Sequence, residues 1–89
     1  MYTVKFTDEA TEDLKKLATT LKYLSKVEKF IEELTIHPRT GTGHPEPLKY
    51  RNIETWSRRI SEKHRLVYEI DEDVITVLVI STYGHYNDK

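Results

Sequence analysis

An 89-residue chain with 37% apolar and 33% charged residues, its Leu, Ile, Val, Tyr and Phe in periodic clusters, is expected to form one folded domain over 1–89. It has no cysteine, which excludes disulfides, thiolate metal sites and a cysteine nucleophile, and a formal charge of −1, unusual for a general polyanion binder. No apolar run approaches the roughly 20 residues of a membrane span, and Met1 to Phe6 lack the apolar region of a signal peptide, so a cytoplasmic protein with no membrane partner is expected.

Residues 2 to 6 alternate in character and are rich in strand formers, which predicts a first strand ending near Thr7. Thr7 can then cap a helix, with Asp8 and Glu9 at its positive end and Ala10, Leu14, Leu17 and Leu21 as its core face. Ser25-Lys26-Val27-Glu28 has the capping-box spacing and predicts the start of a second helix, with Val27, Phe30, Ile31 and Leu34 as its stripe and an end before His37-Pro38. Arg39 to Pro47 holds two of the three glycines and two of the three prolines and is read as a loop. Strands follow at about 48–51, 56–61, 64–70 and 74–82, with Asp71-Glu72-Asp73 as a turn. The near-continuous apolar run Val74 to Ile80 predicts a central strand. The expected fold is therefore α+β, in the order β-α-α-β-β-β, with two helices on one face of a mostly antiparallel sheet.

Charge separates the two halves of the chain. Residues 1–36 carry seven acids and six bases, whereas 49–65 carry six bases (Lys49, Arg51, Arg58, Arg59, Lys63 and Arg65) and two acids, a local net of +4. Such a patch on a nearly neutral chain suits a polyanion. Near it lie Glu46, in a stiff Pro-Glu-Pro segment, and His85 and Tyr86. Cleavage of RNA by its own 2′-hydroxyl needs a base, a cation for the crowded phosphorane and an acid for the departing 5′-oxygen, and no cofactor or metal. Glu46, Arg65 and His85 fit those roles, and Tyr86, Tyr83, Tyr50 or Trp56 could stack on a base. Lys49, Arg51, Arg58, Arg59 and Lys63 are candidates to hold neighbouring phosphates.

The segments Gly43-His44-Pro45-Glu46-Pro47-Leu48-Lys49, Trp56-Ser57-Arg58-Arg59-Ile60 and His64-Arg65-Leu66-Val67-Tyr68, with a terminal His85-Tyr86, closely resemble the YoeB (Txe) toxins of the RelE superfamily. The resemblance implies a ribosome-dependent messenger-RNA endonuclease that cuts in the decoding site. It also implies an antitoxin of the YefM or Axe kind encoded beside it, and a homodimer. It assigns Glu46 as base, Arg65 to the phosphate, His85 as acid and Tyr86 as the terminal aromatic. This sequence departs from the pattern in Asn87-Asp88-Lys89 after the His-Tyr pair, in a path from Arg65 to His85 about two residues longer, and in His44 and Tyr50 where lysine and histidine are common.

Other readings of the same residues stand beside these. Glu46 alone reads as a solvated loop carboxylate, Arg65 as a partner of Glu54 or Glu69, and His85 as an inert terminal residue. Trp56 reads as a sheet or core residue ahead of a stacking one, and His64 as structural or RNA-facing. The rivals at the level of function are a non-catalytic inhibitor of DNA gyrase of the ParE type on the same architecture, and an inactive toxin kept as co-repressor with its antitoxin.

Overall fold

The computed structural model describes residues 1–80. Its elements are β1 (Thr3–Phe6), α1 (Asp8–Leu17), α2 (Leu21–Leu34), β2 (Glu46–Leu48), β3 (Glu54–Arg59), β4 (Arg65–Asp71) and β5 (Val74–Val79). The five strands form one sheet in the order β1-β5-β4-β3-β2, antiparallel throughout except for the parallel β1–β5 pair. This is the expected α+β architecture, and all four strand segments expected after the helices form strands, one more than the outline β-α-α-β-β-β counts.

Thr7 caps α1 as its sequence predicts: its Oγ1 accepts from the Ala10 N–H at 3.0 Å and donates to the Leu78 carbonyl at 2.6 Å. One side chain thus starts the helix and ties it to β5. The second helix begins five residues earlier than the capping-box spacing suggests. Thr20 is extended, and its carbonyl accepts from Tyr23 and Leu24, so the ladder is under way before Ser25 is reached. As a result Leu21, expected in the core stripe of the first helix, opens α2 and is 75% exposed.

Both helices cover one face of the sheet. Ala10, Leu17, Val27, Phe30 and Leu34 pack with Leu66, Tyr68, Ile70, Ile75 and Val77, and Val4, Phe6, Leu14, Ile31 and Trp56 complete the layer. β5 has a neighbour on each side, as expected, with Ile75 and Val77 buried against the helices and Val74, Thr76 and Leu78 half-buried opposite. Near its end the register shifts: Tyr68 faces Val77 but Val67 faces Val79. One extra residue on β5 makes this a bulge, which turns Val79 to the face away from the helices.

The remaining strand boundaries differ by about two residues. Glu46, expected in the loop, begins β2, because an edge strand tolerates the missing N–H of Pro47. Residues 81 and 82 of the expected last strand lie outside the described residues, as do His85 and Tyr86. Among the described residues no helix is long and apolar enough to cross a membrane.

Candidate active site

Register places the site. Glu46 faces Ser57, Ser57 faces Val67 and Val67 faces Val79, so these four side chains form a row across the face away from the helices. Arg59 and Arg65 face each other two residues along on the same side. Glu46 on β2 and Arg65 on β4 reach toward each other over β3, with Arg65 Nη1 at 3.5 Å from Glu46 Oε1. Their side chains are 64% and 36% exposed. This is a long, solvated contact between an acid and a guanidinium, which an entering anion can part at little energetic cost. Arg65 pairs with Glu46 and not with Glu54, which is held by Arg39 through two hydrogen bonds of 2.7 and 2.9 Å.

The loop that delivers Glu46 is held from the other side of the sheet. Arg58, expected among the phosphate-holding bases, is fully buried and cannot reach a phosphate, which corrects that reading. Its Nη2 donates to the carbonyls of His37 (3.2 Å) and Thr40 (2.8 Å), its Nη1 to the Thr42 carbonyl (3.3 Å) and to Glu33, and its Nε to Tyr68 Oη (3.3 Å). Tyr68 in turn donates to the Pro38 carbonyl at 2.5 Å. The guanidinium carbon lies 5.8 Å from the Phe30 ring centre and 5.9 Å from that of Tyr68, within cation–π range. Burial pushes the Glu33 carboxyl up, but hydrogen bonds from the Thr42 N–H and hydroxyl and from Arg58 outweigh it and leave Glu33 below the usual carboxylate value.

After these anchors the chain turns at two residues with positive φ, Gly43 (81°) and His44 (51°), and enters β2. A Cβ at Gly43 would stand 2.5 Å from Phe30 Cζ, so this position needs glycine for space as well as for conformation. The Gly43 carbonyl accepts from the Arg59 N–H at 2.7 Å, which locks the turn to β3 just before Glu46.

Of the other expected basic residues, Lys49, Arg59 and Lys63 are exposed and Arg51 is half-buried. Arg59 stands on the same face as Arg65, beside the acid. Tyr50 is 90% exposed at a positive φ of 62°, an open ring near the end of β2. Trp56 is half-buried, packs on the core and donates Nε1–H to Glu54 at 2.8 Å, in keeping with the sheet role expected for it. His64 bonds Ser61 at 3.0 Å and packs against Tyr23. Sequence reasoning missed Glu33, Thr42 and Tyr68 as the builders of the loop. The available signal was an acid three residues after Phe30, beside the apolar stripe of α2. Among the described residues no group of three or more His, Asp or Glu lies close enough to hold a metal ion.

The fold recurs in solved structures. The chain superposes on the YoeB dimer from Staphylococcus aureus with a TM-score of 0.79 at 31% identity, covering 96% of this chain and 98% of that one. The YoeB–YefM complex from the same organism gives 0.79 at 30% identity, covering 97% and 99%. An archaeal RelE from a RelE–RelB complex of Pyrococcus horikoshii OT3 gives 0.78 over 96% and 98% at 18% identity, a likeness of fold alone. The architecture is thus that of the RelE-like toxins.

The narrower assignment comes from sequence. The family described as YoeB-like toxin of bacterial type II toxin-antitoxin system matches residues 6–86, and the chain belongs to that family. It is 40% identical over 79 residues to the toxin YoeB of Mycobacterium bovis, covering 88% of this chain and 93% of that protein. It is 38% identical over 68 residues to the toxin YoeB of Escherichia coli K12, covering 76% and 79%. Toxins of this group are generally ribonucleases.

Proposed function

We propose that this protein is a cytoplasmic messenger-RNA endonuclease that acts in the decoding site of the ribosome and is restrained by an antitoxin of the YefM kind. The observation that carries the reading is the meeting of the solvent-exposed Glu46 and Arg65 side chains at 3.5 Å on the face of a YoeB-family sheet away from the helices. A phosphodiester that parts this pair lies against both a base and a cation.

In the proposed reaction the Glu46 carboxylate takes the proton of a ribose 2′-hydroxyl, and the 2′-oxygen bonds to the adjacent phosphorus. Arg65 stabilises the charge gathering on the phosphorane oxygens. The bond to the 5′-oxygen breaks, that oxygen takes a proton from His85, and a 2′,3′-cyclic phosphate remains. Tyr86 stacks on a base, while Lys49, Arg51, Arg59 and Lys63 hold flanking phosphates or ribosomal RNA. The steps balance without metal or cofactor. A homodimer and a toxin–antitoxin complex are proposed by analogy with the Staphylococcus aureus structures.

The test is cleavage of a defined messenger RNA with and without programmed ribosomes, with the new ends mapped. Cuts in the decoding site that depend on ribosomes and fall at least about tenfold in Glu46→Ala and in His85→Ala are expected. Intact message in the presence of ribosomes and wild-type protein would overturn the reading.

A further inference from the structure

The proposed chemistry gives no task to Ser57, on the face of the sheet away from the helices. Ser57 is 2% exposed, and its hydroxyl is the one buried side-chain nitrogen or oxygen among the described residues that has no hydrogen-bond partner. Its neighbour on the same face, Thr55, is equally buried at 2%, yet Thr55 Oγ1 donates to the Ile53 carbonyl at 2.8 Å. A hydroxyl on this strand can therefore be satisfied by the fold, and that of Ser57 is not. An orphaned buried hydroxyl is a net cost to stability, which asks for a reason.

Position supplies one. Ser57 directly faces Glu46 on one side and Val67 on the other, and directly opposed residues hold their Cβ atoms about 4.5–5.5 Å apart. The Glu46–Arg65 contact joins β2 to β4 across β3. Ser57 and Arg59 are the β3 residues on that face that the contact spans. Ser57 is therefore at the floor of the space where acid and guanidinium meet, with a free O–H.

We propose that Ser57 is a substrate-binding residue whose Oγ–H donates to a non-bridging oxygen of the phosphodiester held by Arg65. The phosphate reaches it by parting the long Glu46–Arg65 contact. The hydroxyl then finds the partner that the fold withholds, and its bond strengthens as charge builds on that oxygen. No bond to Ser57 forms or breaks. This inference rests on the proposed ribonuclease reading and adds a third group to its described residues.

The experiment compares wild type and Ser57→Ala on programmed ribosomes, with kcat, KM and the melting temperature of each measured. The expected result is a fall in kcat/KM of about 10- to 100-fold, shared between a lower kcat and a higher KM. The melting temperature is unchanged or raised by roughly 4–8 °C, since alanine removes the orphan. A kcat/KM within twofold of wild type would overturn the proposal. So would a melting temperature several degrees lower, which would make the hydroxyl a structural donor. Wild-type protein that fails to cut removes the ribonuclease reading and this inference together, whereas intact wild-type cutting matched by Ser57→Ala removes this inference alone.

Discussion

Each side of the sheet sets an arginine against a glutamate, and the two pairs are made in opposite ways. Behind the sheet, Arg58 is fully buried and bound to Glu33, three loop carbonyls and a tyrosine. In front, Arg65 and Glu46 touch at 3.5 Å with solvent around both. The first pair cannot exchange its partners without unfolding the 37–42 loop, so its charges serve the fold. The second can give up its contact for little, so its charges are available to a substrate. The loop joins them: Arg58 holds the segment that ends, after Gly43, in Glu46.

The comparison breaks most sharply if front and back variants behave alike. Glu46→Ala or Arg65→Ala should lower ribosome-dependent cleavage about 10²- to 10⁴-fold, with thermal unfolding nearly unchanged, as parallel kinetics and melting curves would reveal. Arg58→Ala should do the reverse of that pattern, costing about 3–5 kcal/mol in denaturant unfolding because it empties a fully buried position and takes the donor away from three loop carbonyls and the half-buried Glu33. The double variant Arg58→Met with Glu33→Leu should recover part of that loss, and a purely additive result would argue against coupling of the two charges. Gly43→Ala should cost about 1–3 kcal/mol, from the positive φ and the Phe30 contact, and should lower cleavage by displacing Glu46.

A smaller effect concerns acid. Glu33 and Glu54 both lie below their ordinary carboxylate value of 4.5, Glu54 through the hydrogen bonds of Arg39 and, against burial, of Trp56. Near and below pH 4.5 the unfolded chain binds more protons at these sites than the folded one. Their stabilisation is therefore complete above the unfolded value and is lost as pH falls through the lower folded values. Unfolding titrations from pH 6 down to about pH 3 should show that decline, with a weaker slope in Glu33→Gln. Smallest of all, Arg39→Ala should cost about 0.2–1 kcal/mol, because the pair it forms with Glu54 is 46% and 40% exposed.

Much of this architecture is legible in the order of residues alone. The cap at Thr7 and the stripe Val27, Phe30, Leu34 follow from period and propensity, and the folded chain keeps both, whereas β4 buries Leu66, Val67 and Tyr68 in succession. Parity places Arg65 opposite Leu66 and Tyr68, which puts it on the face away from the helices. The same argument fails for Arg58 because β3 reads Glu54-Thr55-Trp56-Ser57-Arg58-Arg59, with polar residues at both parities and no alternation to follow. A count of local charge then treats a buried cation as a surface one. Proline on both sides makes Glu46 read as a loop residue, and only tertiary context shows an edge strand. The start of α2 is misplaced by sequence since a capping-box spacing is local, while the Thr20 carbonyl has already opened the helix.

The parallel pairing of β1 with β5 governs when this molecule can come together. Thr3 aligns with Val74 and Phe6 with Val77, and the Thr7 hydroxyl reaches the Leu78 carbonyl across 71 positions of sequence. A growing polypeptide therefore holds its first strand unpaired until residues 74–79 have been synthesised. Helices can form early, but the sheet that brings the edge acid toward the guanidinium closes late. Assembly waits on β5, and a truncated product that stops before residue 74 lacks the strand that joins β1 to the other three.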